Sequence, residues 1–211
     1  MQNKKRVLVL APHTDDGEFG CGGTICKLIE EDHDVYYAAF SACQQSVLPQ
    51  FPSDILITEV KAATKVLGIK SENLFLYDYD VRTFGYHRQE ILDDLIKIRA
   101  EIKPELIFMP DLQDIHQDHS TIATEGLRAF KFASIMSYEL PWNNLSFATS
   151  SFVHLMDRHV QTKVNALQEY QSQAHRPYSD EDFLRSVART RGVQIGTKYA
   201  EAFNVVRWII D

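Results

Sequence analysis

Short apolar runs alternate along this chain with longer segments whose apolar residues fall at helical spacing. The strand-like runs are 6–10, 35–40, 74–78 and 106–110, with helical segments at 22–31, 54–67 and 88–102 between them. The helix at 54–67 stops before Gly68, and the one at 88–102 is ended by Pro104, two ordinary stop signals. Farther on, a helix at 119–132 is followed by strands at 134–140 and 151–156. Helices at 158–171 and 180–190 come next, and an extended run at 203–210 closes the chain. Alternating strands and helices predict an α/β protein of three layers, α/β/α, with a mostly parallel sheet. No repeat or linker-like stretch interrupts the pattern, so one domain over 1–211 is expected.

Composition adds few constraints. The 211 residues are 45% hydrophobic and 24% charged, with a net charge of −7. That balance suits an ordinary soluble globule and argues against nucleic acid or an anionic membrane as the main partner. The apolar runs are too short to span a bilayer, and the basic start from Met1 to Arg6 lacks a secretory hydrophobic region behind it. Cys21, Cys26 and Cys43 are too few for a disulfide framework, which fits a reducing cytoplasm. Cys21 reads as a small packed residue. The aromatics near Tyr138, Trp142, Phe147 and Phe152 read first as core, with a substrate rim or an interface as the alternatives, and association into a homo-oligomer is left open.

The chemistry is concentrated after two of the strands. Ala11-Pro12-His13-Thr14-Asp15-Asp16 follows Val7–Leu10, and His116-Gln117-Asp118-His119 follows Leu106–Pro110. In an open α/β sheet, ligand sites form at the carboxyl ends of strands. Hydrolytic zinc sites commonly take three protein ligands and keep one position for water. His13, Asp16 and His119 supply such a set, and iron(II) or cobalt(II) would suit the same donors. Asp15 is the candidate general base. His116 is the candidate to stabilise an oxyanion or protonate a leaving amine, and Asp118 to hydrogen-bond the His116 ring and keep it charged. Glu18 is a competing ligand, read instead as first-turn helix charge. Gly20-Cys21-Gly22-Gly23 matches no dinucleotide or Walker pattern and reads as close helix–sheet packing. The polar segment 41–53 is placed to lie over the same rim.

Taken together, Ala11–Asp16, Gly22-Gly23-Thr24-Ile25 and His116–His119 resemble the LmbE-like, PIG-L family of zinc-dependent N-acetylglucosaminyl deacetylases. Lys163–Gln173 is similar to the family's late helix. Arg191-Gly192, Gly196 and Tyr199–Phe203 are similar to its closing motif. The resemblance implies a Rossmann-like fold and deacetylation of an amino sugar. It gives His13, Asp16 and His119 as zinc ligands, Asp15 as base and His116 as transition-state histidine. Two departures stand out. Thr14 and Gly17 replace a proline and a glutamate of the motif, with Glu18 close enough to substitute. An arginine that many members carry ahead of the position of Glu59 is missing from Asp54–Thr58, which leaves Arg82, Arg88 and Arg191 as candidate substrate contacts.

The expected function is therefore zinc-dependent removal of acetyl from an N-acetylated sugar of GlcNAc type, nucleotide- or carrier-linked, in glycan or glycoconjugate synthesis. Hydrolysis of a non-sugar amide or thiol conjugate is the alternative within enzymes. An inactive, metal-retaining sugar-binding module is the alternative outside them.

Overall fold

The computed structural model describes residues 4–210, so the first three residues of the start read from Met1 to Arg6 lie outside the described residues. In chain order the elements are β1 (Arg6–His13), α1 (Asp16–Glu30), β2 (Asp34–Ser41), α2 (Ile55–Leu67), β3 (Leu74–Leu76), α3 (Arg88–Ile102) and β4 (Leu106–Pro110). They continue with α4 (Gln117–Ala129), β5 (Ser134–Tyr138), β6 (Ser151–Leu155), α5 (Asp157–Gln168), α6 (Glu181–Gln194) and β7 (Tyr199–Arg207). The seven strands form one sheet in the order β3-β2-β1-β4-β5-β7-β6. β3, β2, β1, β4 and β5 pair in parallel, and β7 runs antiparallel to both its neighbours. The mostly parallel three-layer sheet expected from the sequence is what forms.

Alternation along β1 shows how the layers are glued. Val7, Val9 and Ala11 belong to one buried cluster, and Leu8 and Leu10 to the other, because successive strand side chains point to opposite faces. Residues of α1, α2 and α5 fill the first face, and residues of α3 and α4 the second. The chain builds outward from β1 through β2 to β3, then returns to place β4 on the other side of β1. The gap between β1 and β4 is thus the switch point, where loops diverge and a crevice opens. Among the described residues, no helix is long and apolar enough to cross a membrane.

The largest correction concerns α1. The sequence reading places the first helix at 22–31, and Gly17 and Gly20 just ahead of it each lower helix propensity by about 1 kcal/mol relative to alanine. The helix instead starts at Asp16 and kinks at Cys21, whose φ is −146° and ψ 23°. Packing overrides propensity here. A Cβ on Gly20 would lie 2.3 Å from Tyr138 Cδ2, and one on Gly23 2.5 Å from Leu155 Cδ1. The kink frees backbone N–H groups, which a buried helix cannot leave unpaired. Gly23 and Thr24 donate theirs to the Glu201 carboxylate on β7, at 3.0 and 2.7 Å. The Lys163 ammonium donates to the same carboxylate at 2.7 Å and to the Phe19 carbonyl at 2.6 Å. Elsewhere, boundaries move modestly. β3 is shorter than 74–78, and the last strand spans Tyr199–Arg207 rather than 203–210.

Candidate metal and catalytic centre

β1 ends at His13, and α1 begins three residues later at Asp16. β4 ends at Pro110, and its loop leads to His116, the N-cap residue of α4. Since β1 and β4 are neighbours, the two polar clusters meet at the switch point. His13 Nδ1, Asp16 Oδ2 and His119 Nε2 form a triangle whose three edges are each 3.2 Å. Three corners of a tetrahedron with metal–ligand bonds of about 2.0–2.1 Å are separated by roughly 3.3–3.4 Å. Donors at this spacing could hold one metal ion.

The ring nitrogens turned toward this triangle are fixed by what the opposite nitrogens bond. His119 Nδ1 meets Asp114 Oδ2 at 2.8 Å, and His13 Nε2 meets Asp118 Oδ2 at 3.0 Å. A carboxylate that accepts the ring N–H on one side fixes the opposite nitrogen as the one turned toward a metal. Asp114 was not legible as a site residue: in sequence it is an acid in a polar loop. Its second oxygen accepts the His116 backbone N–H at 2.8 Å, so one carboxylate both shapes the loop and aims the ligand.

Asp118 differs from expectation. Its carboxylate does not reach the His116 ring. It bonds His13 and accepts the backbone N–H groups of Arg82 at 2.6 Å and Phe84 at 3.4 Å. Only the Asp118 backbone N–H touches His116, donating to Nδ1 at 3.2 Å. That bond leaves the His116 ring proton on Nε2. Burial, with His119 and His13 nearby, pulls the His116 pKa down to about 4, so the ring is neutral rather than charged. A metal ion could draw on His116 as well: the ring nitrogens of His13, His116 and His119 lie within 4.8 Å of one another.

Charge is arranged tightly around the triangle. Burial raises the Asp16 pKa, but His119 and His13 outweigh it and hold the carboxylate ionised. Burial pulls His119 down, yet Asp16 and Asp114 hold it up at about 10. Asp15 has a different fate. Burial, then repulsion from Asp16, pushes its pKa up to about 6, and it lines the cavity without taking part in the triangle.

Below the loop lies a buried carboxyl. Glu18 is fully buried, and is met by the hydroxyls of Tyr37 and Tyr170, the latter donating at 2.9 Å. Both hydroxyls also lie within reach of the Thr14 carbonyl, at 2.9 and 2.8 Å. Burial pushes the Glu18 pKa up to about 8. Glu18 is thus tied through the two tyrosine hydroxyls to the Thr14 carbonyl, in the peptide that precedes Asp15.

The cavity encloses about 350 Å³. The triangle and Asp15 floor it. Trp142 and Tyr178, stacked with ring centres 4.0 Å apart, form one wall with Phe19. Tyr138 is core, as expected, whereas Trp142 faces this cavity. Cys43 and Ser46, from segment 41–53, sit on the rim. Of the three candidate arginines, Arg82 lines the cavity. Arg88 instead binds the buried Glu125 at 2.8 Å, and Arg191 binds Glu139 at 2.9 Å. Both are spent on structural ion pairs away from the centre. Arg176, which the sequence reading did not single out, lines the cavity too.

A doubly wound α/β sheet with a metal-competent His–Asp–His triangle and a free carboxylate at its switch point defines a class: metal-assisted hydrolases of the three-layer type. Residues 8–130 match the family described as PIG-L, GlcNAc-PI de-N-acetylase. The chain belongs to that family. A diacetylchitobiose deacetylase from Thermococcus kodakarensis is 24% identical over 225 residues, covering 96% of this chain and 83% of the relative. A Bacillus anthracis protein described as "Probable N-acetyl-alpha-D-glucosaminyl L-malate deacetylase 2" is 28% identical over 193 residues, covering 82% and 83%. Among solved structures, an N,N'-diacetylchitobiose deacetylase from Pyrococcus horikoshii superposes with a TM-score of 0.81 at 23% identity, covering 97% of this chain and 85% of that one. That likeness carries the fold.

Proposed function

We propose that this protein is a zinc-dependent deacetylase that hydrolyses the acetamide of an N-acetylated amino sugar of GlcNAc type, linked to a nucleotide or another carrier and handled in the cytoplasm. The observation that carries the proposal is the 3.2 Å triangle of His13, Asp16 and His119 with Asp15 beside it and outside it. Metal binding alone has no use for that extra carboxylate. Family membership and the deacetylases among the relatives support the same reading.

An ion held by the triangle would polarise the amide carbonyl and bring the pKa of a bound water to about 7. Asp15 is the proton acceptor: with a pKa near 6 it is mostly ionised at neutral pH yet basic enough to take a proton from that water. The same carboxyl then hands the proton to the departing amine. His116 keeps its Nε2 proton and stays neutral, which suits a hydrogen-bond donor to the developing oxyanion better than an acid. Asp114 and Asp118 hold the two ligand rings in register. The Trp142 and Tyr178 rings that line the cavity supply apolar surface suited to a pyranose.

The test is acetate release by zinc-loaded protein across free, nucleotide-linked and lipid-linked N-acetyl sugars. Release from at least one class is expected. No release from any, with zinc shown to be bound, would move the reading to a non-sugar amide.

A further inference from the structure

Charge is spread unevenly over this protein, and the net −7 hides a basic edge. At the amino ends of the parallel strands, opposite the cavity, three segments meet. Ile135, in the first turn of chain along β5, pairs with Arg207 at the end of β7. The Arg207 guanidinium donates to the Phe130 carbonyl at 3.1 Å, and the Ile209 backbone N–H donates to the Ser134 hydroxyl at 3.1 Å. The turn from α4 into β5 therefore lies against the chain that leaves β7. Lys5, one residue ahead of β1, holds its ammonium 6.0 Å from the centre of the Trp208 ring.

Four large apolar side chains stand out from this edge. Phe132 is 86% exposed, Ile210 85%, Trp208 52% and Ile209 37%. Single exposed apolar residues are ordinary, but four gathered on one edge mark a contact surface. Cations lie among them. Lys5 and Lys131 are exposed and Arg207 is half-buried. Among the described residues, none of these three is ion-paired with a carboxylate. Glu105, whose carbonyl accepts the Ser134 N–H, is already paired with Arg6 at 3.6 Å.

The mixture selects the partner. Tryptophan, phenylalanine and isoleucine set among lysine and arginine suit the boundary of a bilayer, where rings sit at head-group level and cations meet lipid phosphates. A second copy of the chain fits less well, because a two-fold contact would bring Lys131 and Arg207 up against their own equivalents.

We propose that the edge centred on Phe132 and Trp208 is a docking surface for an anionic lipid bilayer, held by shallow apolar insertion and by lysine and arginine contacts to lipid phosphate. The cavity, at the opposite ends of the strands, then faces away from the lipid.

The test is sedimentation of zinc-loaded protein with vesicles of phosphatidylcholine alone, or of phosphatidylcholine and phosphatidylglycerol in equal parts. One basic side chain near an anionic surface changes partitioning by about fivefold, so three should favour the anionic vesicles by about tenfold or more, less as salt is raised. Phe132→Ser and Lys131→Glu should each lower that partitioning by about fivefold or more. Lys61→Glu, the same charge change on α2 across the sheet, should leave it unaltered. Trp142 and Trp208 are the two tryptophans. Brominated phosphatidylglycerol should quench Trp208 in Trp142→Phe protein and spare Trp142 in Trp208→Phe protein. Equal partitioning onto both vesicles, or onto neither, would overturn the proposal. So would equal losses in Lys61→Glu and Lys131→Glu, or quenching of Trp142 rather than Trp208. A concentration-dependent rise in mass that Phe132→Ser abolishes, without vesicle binding, would assign the edge to a second copy instead.

Discussion

The buried Glu18 makes a quantitative statement about stability. Its carboxyl sits under the loop, with two tyrosine hydroxyls and the Thr14 carbonyl around it. With its folded pKa pushed from an ordinary 4.5 up to about 8, it holds a proton in the fold that the unfolded chain releases. A folded pKa above the unfolded one means stability is fully present below pH 4.5 and is lost as pH rises toward 8. Glutamine at this position mimics the protonated carboxyl and cannot titrate. The stability difference between wild type and Glu18→Gln should therefore grow with pH in favour of the variant. Linkage across pH 5.5 to 7.5 gives a relative loss by the wild type of about 2–3 kcal/mol. For a chain of this size that is a relative shift in Tm of roughly 5–10 °C. Chelator-treated proteins compared by denaturant unfolding at several pH values give the answer, since the other titrating groups are common to both and cancel. Parallel pH profiles would refute the reasoning, and a difference that shrinks with rising pH would show that Glu18 is ionised in the fold.

Other expectations follow from the centre and its supports. Asp15→Asn should keep zinc at wild-type occupancy and lower kcat by roughly 10²–10⁴ in an acetate-release assay; loss of metal would make Asp15 a ligand instead. Asp114→Asn should weaken zinc affinity by about 10–100-fold, read by competition with a chromophoric chelator, because His119 loses the carboxylate that aims it. Gly20→Ala should destabilise by at least about 1–3 kcal/mol in urea, since its new methyl would drive into the buried Tyr138 ring.

Much of the fold was legible because the strands around β1 are apolar runs with polar loops at their carboxyl ends. The candidate ligands were legible for the same reason: His13 ends β1, Asp16 opens the helix after it, and His119 lies in the first turn of the helix that follows the β4 loop. What sequence spacing could not supply was partnership across the sheet. Asp118 lies two residues from His116 and so was matched to it, but β1 beside β4 brings His13 closer to its carboxylate. Asp114 and Arg176 acquire their roles only from tertiary placement, one beneath a ligand ring and the other on the rim of the cavity. The start of α1 lies earlier than the sequence pattern suggests because Gly17 and Gly20 weigh against a helix by propensity, while in the fold Gly17 lets it approach Tyr37 and Gly20 lets it approach Tyr138.

The Glu201 clamp has a temporal consequence. The candidate ligands all lie by residue 119, so a growing chain carries the whole set long before it carries β7. Until then the N–H groups of Gly23 and Thr24 lack their carboxylate, and Lys163 lacks its counter-ion. A ribosome-stalled chain ending before residue 199 should therefore hold the residues of the centre without the strand that steadies the helix bearing Asp16. Maturation of the centre is thereby tied to the arrival of the last strand during synthesis.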